Sequence, residues 1–241
     1  MLERPPGLPT SRRLAYESSA GSVTIARVDG SGPIQVPASN PEFDHGPVWS
    51  PDGSKIAFQA TWDARSWIYT VRADGTRKRR LAPGNDPAWS ANGQQLALIN
   101  NCTLFTVNSN GRHIRRLSRK GEFVTGAAWS PNNPMLAYVS GKQAEGCPGA
   151  TYRLRVQTVR ADGTRARLLG HEPSRSLVWG NPVWTPDGKQ VLVAIDLTDS
   201  QRAPAASRRS RRSRPHCLAR RQRDSCVIRM RSGARFRDPP S

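Results

Sequence analysis

The 241-residue chain has no stretch near the ~18 to 20 consecutive apolar residues of a membrane-spanning helix, and Met1 to Tyr16 lacks the apolar run of a secretory signal. A helical membrane span is therefore excluded. Acidic residues are scarce, 18 against 37 Lys and Arg, which leaves a formal net charge of +19. The excess is uneven, because Gln201 to Ser241 carries 13 Arg offset only by Asp224 and Asp238. Histidine and cysteine number four each, and His45, His113, His171 and His216 show no metal-ligand spacing. His171-Glu172-Pro173 lacks the second His of a zinc-protease helix, and neither a Gly-x-Ser-x-Gly elbow nor a phosphate loop ending Gly-Lys-Ser/Thr is present. With no catalytic residues in view, the chain is expected not to be an enzyme. Long helices have little room either, since 20 Pro and 20 Gly punctuate the sequence. An all-β fold is the expectation.

What is present is a repeat. Pro47-Val-Trp-Ser-Pro-Asp-Gly-Ser-Lys-Ile-Ala-Phe58 recurs from Pro87 to Leu98, from Ala127 to Tyr138 and from Pro182 to Val193. Trp49, Trp89, Trp129 and Trp184 mark the register. A second half, Trp67-Ile-Tyr-Thr-Val-Arg-Ala-Asp-Gly-Thr-Arg-Lys-Arg-Arg-Leu81, matches Thr103 to Leu117 and Leu154 to Leu168, and appears once more from Ser22 to Gly30. Leu14-Ala-Tyr16 corresponds to Ile56-Ala-Phe58, so the chain starts within one repeat and, after Ile195, leaves another unfinished. Each copy reads as four short strands. Ser50-Pro51-Asp52-Gly53 and Asp74-Gly75 supply the turns, with Pro presetting φ and Gly accepting the left-handed exit. Lys55 to Gln59 and Trp67 to Val71 alternate polar and apolar residues as half-buried strands do. Four strands in about 40 residues are the dimensions of one β-propeller blade, which must stack on neighbours to bury its faces.

The Trp-Ser-Pro-Asp-Gly-x-x-Ile-Ala-Phe opening with the later Asp-Gly and Arg-x-Leu resembles the TolB-like (WD-repeat-like) β-propeller repeat. The resemblance divides the chain into an N-terminal extension at 1–8, repeats over 9–195 and an Arg-rich tail at 196–241. Within the repeats it implies a partial blade at 9–39, full blades at 47–82, 87–118 and 127–170, and a partial blade at 182–195. The expected architecture is an incomplete propeller of four-stranded antiparallel blades, a fragment of a longer one, followed by a disordered basic tail. Out-of-frame translation of a GC-rich gene is an open alternative for that tail, because the composition changes in mid-blade.

Recurrence at one blade position assigns Trp49, Trp89, Trp129 and Trp184 to packing between blades. Trp62 and Trp179 fall outside that register, in expected loops, and are interaction candidates. Residues entering the innermost strand would line a propeller's channel mouth, which selects Asp44, His45, Asn85, Asp86, Thr125 and Asn181 as binding candidates. Their oxygens suit a partner's side chain or, as a weaker reading, calcium; Asx residues also cap turns for purely structural reasons. No other cofactor is expected. Cys102 and Cys147 hold matching places in consecutive blades, so a disulfide and two free thiols both stand as readings.

The function expected is a non-catalytic scaffold binding a protein, peptide or glycan. The resemblance to TolB proteins implies a bacterial cell-envelope setting, periplasmic or extracellular. Two alternatives remain. One is the propeller of a prolyl oligopeptidase-like serine hydrolase without its catalytic domain; the other is polyanion or nucleic-acid binding through Arg208 to Arg214 and Arg220 to Arg223. Nucleic acid is not the leading partner. Exposed blade edges would favour self-association.

Overall fold

The computed structural model describes residues 13–19, 21–37, 43–142, 155–171, 176–197 and 225–231. Every regular element among them is a strand, and none is a helix long and apolar enough to cross a membrane. The chain divides into two compact units, Met1–Asn100 with Thr106–Ile114, and Asn101–Phe105 with Arg115–Ser241.

The first sheet is β1 (Arg13–Glu17), β2 (Val23–Arg27) and β3 (Ile34–Gln35) in that order. The second is β4 (Phe43–Trp49), β5 (Lys55–Trp62), β6 (Arg65–Arg72) and β7 (Arg79–Pro83). The third joins β8 (Asn85–Trp89), β9 (Gln95–Asn100), β10 (Thr103–Asn108) and β11 (Arg115–Arg116), and the fourth β12 (Glu122–Trp129), β13 (Met135–Lys142), β14 (Arg155–Arg160) and β15 (Arg167–His171). The fifth contains β16 (Ser176–Trp184), β17 (Gln190–Leu197) and β18 (Ser225–Arg231). Each sheet is an antiparallel meander with the dimensions of a propeller blade.

Local chemistry explains the shared hairpins. In the first turn of the second sheet the Lys55 N–H donates to Ser50 Oγ at 2.9 Å, the Gly53 N–H to Ser50 O at 2.8 Å, and the Ser50 hydroxyl to Asp52 Oδ1 at 2.6 Å. Ser90, Asn92 and Gly93 repeat the pattern, as do Thr185, Asp187 and Gly188. Gly53, Gly93 and Gly188 take φ of 68°, 67° and 66°, the left-handed region that glycine occupies without a Cβ clash. Asp29, Asp74 and Asp162 close the opposite hairpins by accepting N–H and hydroxyl bonds from Ser31, Thr76 and Thr164. Those bonds favour the ionised carboxylates and hold all three below the usual Asp pKa.

In the first unit Val23 and Ile25 of the first sheet, with Val36 just after β3, form one core with Ile56, Phe58, Ala60 and Val71 of the second. In the second unit Ala137, Val139, Val156 and Leu169 of the fourth sheet join Trp184, Val191 and Val193 of the fifth. The repeated tryptophans sit at these seams. Trp89 Nε1 donates to Val48 O at 3.2 Å and Trp184 Nε1 to Ala128 O at 3.0 Å, so each indole buries its ring and still satisfies its N–H. Trp89, Trp129 and Trp184 are buried and Trp49 is half-buried.

Two places differ from the sequence reading. Within the tail expected to be disordered, Ser225–Arg231 forms β18 and pairs with β17 from Gln190↔Arg231 to Asp196↔Ser225. The β-rich run Cys226-Val-Ile completes an edge that β17 would otherwise leave open. Trp62 and Trp179, expected in loops, are strand residues: Trp62 ends β5 and Trp179 pairs with Ala194. The remainder of the tail, with Arg208 to Arg214 and Arg220 to Arg223, lies outside the described residues.

Candidate functional site

The inner strand of each of the second to fifth sheets breaks its register just before the repeated tryptophan. Between His45 and Val48 two residues, Gly46 and Pro47, face the single residue Phe58. Asp86 and Pro87 do the same opposite Leu98, Thr125 is the extra residue of β12, and Gly180, Asn181 and Pro182 are passed over in β16. Proline has no N–H to give the ladder, so Pro47, Pro87 and Pro182 impose the bulge; in β12, which lacks the proline, Thr125 and Gly126 carry it.

These bulges separate the six binding candidates into two sets. Asp86, Thr125 and Asn181 are bulge residues and all are exposed, while His45 flanks a bulge and is half-buried. Asp44 and Asn85 stay in the ladder opposite Ala60 and Ile99. Asp44 is 2% exposed, and the buried Asn85 Oδ1 has no hydrogen-bond partner among the described residues.

In the first unit the site can be built atom by atom. Glu17, at the end of β1, accepts the Gly46 N–H on Oε1 at 2.6 Å and faces His45 Nδ1 from Oε2 at 3.3 Å. The Gly46 N–H, followed by His45, holds the Glu17 carboxyl below its ordinary pKa against the opposing cost of burial. Glu17 escaped the sequence reading because nothing local links it to His45, 28 residues away; only blade stacking does. Asp86 adopts φ 51° and sits against protein while reached by solvent, and desolvation raises its carboxyl pKa. The turn that presents it is tight: a Cβ on Gly84 would lie 2.8 Å from both Ile99 O and Leu98 Cδ1.

Aromatic and cationic side chains share this end of the second sheet. Phe43 pairs with Thr61, which places Trp62 beside the start of β4, and Trp67 pairs with Pro83 just ahead of Gly84. Trp62 is 54% exposed. The Arg80 guanidinium lies 4.3 Å from the Trp67 ring centroid, a cation–π contact. Asp63 and Ala64 turn the hairpin after Trp62 with φ of 50° and 54°, and Asn101 and Cys102 turn the equivalent hairpin of the third sheet with φ of 45° and 55°. Paired positive φ values are the signature of a type I′ hairpin turn.

In the second unit Thr125 lies beside Val124, whose N–H donates to Cys102 O at 2.7 Å. Cys102 is disulfide-bonded. Cys147, its mate in one of the two readings of the sequence, lies outside the described residues. Among the described residues no group of three His, Cys, Asp or Glu stands close enough to hold a metal ion. In the first unit, oxygen-bearing side chains and aromatic faces at one end of the second and third sheets can hold a polar or sugar-like ligand.

Comparison with known proteins agrees with this architecture. The TolB beta propeller domain family matches residues 5–211. Among curated proteins, the uncharacterized peptidase YuxL of Bacillus subtilis (strain 168) is 23% identical over 206 residues, covering 65% of this chain and 30% of that protein. The chain thus spans less than a third of that relative's length. Among solved structures, a putative TolB from Agrobacterium tumefaciens superposes with a TM-score of 0.58 at 17% identity, over 92% of this chain and 70% of that one. The tricorn protease gives 0.60 at 17% identity, over 81% of this chain and 20% of that one.

Proposed function

The chain belongs to the TolB beta propeller domain family, and from that premise we propose that it is a non-catalytic scaffold engaging a protein, peptide or glycan partner. The observation that carries this reading is the set of inner-strand bulges. They lift Asp86, Thr125 and Asn181 out of the ladder and expose them, in a fold whose other repeat positions serve packing and turns. In the first unit the exposed Trp62 and the Arg80–Trp67 pair stand at the same end as His45 and Asp86. That mixture of rigid aromatic faces and a few polar groups suits an extended peptide or a saccharide. The disulfide at Cys102 supports an oxidising compartment, periplasmic or extracellular, as the setting.

The test is selection of peptides from a random display library, and of glycans from an array, on the full chain. A ligand of this site loses at least tenfold in affinity with Trp62→Ala and with Asp86→Asn, and keeps its affinity with Asp74→Ala in a hairpin at the other end of the sheet. A ligand indifferent to Trp62 and Asp86, or no enriched ligand at all, defeats the reading.

The second reading, a hydrolase propeller, is supported by the similarity to YuxL, a peptidase by name. It requires a Ser-His-Asp domain encoded in frame with these repeats. Sequencing the flanks of the gene decides it.

A further inference from the structure

Charge is segregated across the second, third and fourth sheets. Their inner strands β4, β8 and β12 hold Asp44, Asp86 and Glu122 and no Lys or Arg. Their outer strands β7, β11 and β15 hold Arg79, Arg80, Arg115, Arg116 and Arg167 and no carboxylate. The concentration is greatest in the second unit, where Arg115-Arg-Leu-Ser-Arg-Lys120 places four cations in six residues. Leu117 and Ser118 turn inward and are buried, while Arg115, Arg116, Arg119 and Lys120 are all exposed. The repeat needs the leucine, since Leu81 and Leu169 are buried at the same position. It does not need the cations beyond it, because the second and fourth sheets have Pro83 and His171 where the third has Arg119.

Two of these guanidinium groups are held by main-chain carbonyls. Arg116 donates from Nε to Ser118 O at 3.0 Å and from Nη2 to Arg119 O at 2.9 Å, and Arg115 donates from Nη1 to Asp162 O at 3.3 Å. A Cβ on Gly163 would lie 3.9 Å from Leu117 Cδ2, so β11 is seated against the hairpin of the fourth sheet that leads through Arg165 to Arg167. Arg165 and Arg167 are exposed as well. A carbonyl orients a guanidinium without cancelling its charge. The nearest carboxylates serve other donors: Asp162 accepts the Thr164 N–H and hydroxyl, and Glu122 accepts the Gln157 amide and the Arg119 N–H. Among the described residues no ion pair joins either one to these cations. Charge that merely guards a sheet edge belongs on the strand, yet Arg119 and Lys120 lie beyond the end of β11.

We propose that Arg115, Arg116, Arg119 and Lys120, continued by Arg165 and Arg167, form a binding strip for an acidic polysaccharide. The strip stands on outer strands, apart from the inner-strand bulges, and does not rest on their having a ligand. Cations without counterions select an anionic partner, and the arginine fork matches a sulfate or carboxylate through two parallel N–H bonds. No aromatic ring stands among these six residues to stack a nucleic-acid base. The large apolar side chains exposed next to them in the chain are Ile114 and Leu168, which lack the aromatic anchors of a surface that enters a bilayer.

Titration of the full chain with labelled heparin, alongside uncharged dextran, duplex DNA and vesicles of anionic phospholipid, is the test. Heparin is expected to bind more tightly than the other three. Arg119→Gln with Lys120→Gln is expected to weaken heparin by about tenfold or more while keeping the native tryptophan emission and unfolding temperature, because neither side chain makes a hydrogen bond or ion pair among the described residues. Adding Arg116→Gln weakens it further. Arg211→Gln with Arg212→Gln removes the same charge from the tail and is expected to change the affinity by less than about threefold. Equal losses from the strip and tail variants would overturn the proposal, since charge anywhere would then suffice. So would a strip variant that binds heparin as the wild type does, no binding of heparin, or tighter binding of dextran, DNA or vesicles than of heparin.

Discussion

Phe58 and Tyr138 hold the same place in the repeat, one in each unit, and both are fully buried, yet their surroundings are chemically opposite. Phe58 stacks on its cross-strand partner Tyr69 with ring centroids 5.8 Å apart, and the Lys78 ammonium lies 5.5 Å and 5.3 Å from the two rings while also meeting the Pro37 carbonyl. Around Tyr138 the cross-strand partner is Gln157, which donates to Ser140 Oγ at 2.7 Å and to Glu122 Oε1 at 3.2 Å. The Tyr138 hydroxyl itself has no hydrogen-bond partner among the described residues. The repeat therefore dictates which positions are buried on this face of the sheet, and leaves open whether their surroundings are apolar or polar. An apolar seam is tolerant of neighbours and costly to hollow; a polar one depends on every bond being made.

The largest effect that would sharpen this contrast is Phe58→Ala. It removes a fully buried ring from the first-unit core, and a loss of about 3 to 5 kcal/mol in unfolding free energy is expected from denaturant titration. A loss below about 1 kcal/mol would mean that the seam is not packed as described.

The next effect is a pH dependence confined to the polar seam. Burial, with Glu122 adding to it, raises the Tyr138 hydroxyl to about 12 from 10.0. The unfolded chain loses this proton first, so Tyr138 contributes stability below about pH 10 that is lost as pH climbs toward about 12. The expected decline is roughly 2 to 3 kcal/mol across that window, measured by denaturant titration at stepped alkaline pH, and Tyr138→Phe abolishes it. The same variant at pH 7 is neutral or slightly stabilising, because it deletes a buried hydroxyl that has no partner.

Gln157→Leu tests the network in the opposite sense. It strands the buried Ser140 hydroxyl and removes a donor from Glu122, for an expected loss of about 1 to 2 kcal/mol by thermal or denaturant unfolding. A stabilised variant would show that the polar seam gives nothing beyond its shape.

Lys78→Met is the smallest change, with loss of the cation–ring contacts worth about 0.5 to 1 kcal/mol near neutral pH. Burial lowers the Lys78 pKa, with Asp44 opposing, so keeping it charged carries a cost in the folded state. That cost is present below the folded pKa and fades as pH rises toward the ordinary value of 10.5, the reverse of Tyr138. Opposite alkaline slopes in Tyr138→Phe and Lys78→Met would mark the two seams as chemically distinct.

Much of the fold was legible because its signals are short-range. The Ser-Pro-Asp-Gly and Asp-Gly-Thr turns close through bonds spanning two to five residues, and their chemistry is visible in any one copy. The repeated tryptophans announced a packing position through period alone. The candidate site was legible only in part. Its positions followed from the blade register, but Asp44 and Asp86 looked alike in sequence, and the bulge at Pro87 sends one outward while the ladder keeps the other in. The prolines at 47, 87 and 182 were the available signal for those bulges, and Thr125 had none.

The sequence by itself determined the repeating four-strand plan, its hairpins and the faces each blade turns to its neighbours, since turn preference and strand alternation act between residues close along the chain. Only tertiary structure decided that Glu17 would meet His45 and Gly46, that Ser225–Arg231 would add a third strand to the fifth sheet, and that Leu14 and Tyr16 would remain exposed at positions buried elsewhere. Those outcomes depend on which surface lies across from each residue, and that is a property of the packed sheets rather than of any local stretch of chain.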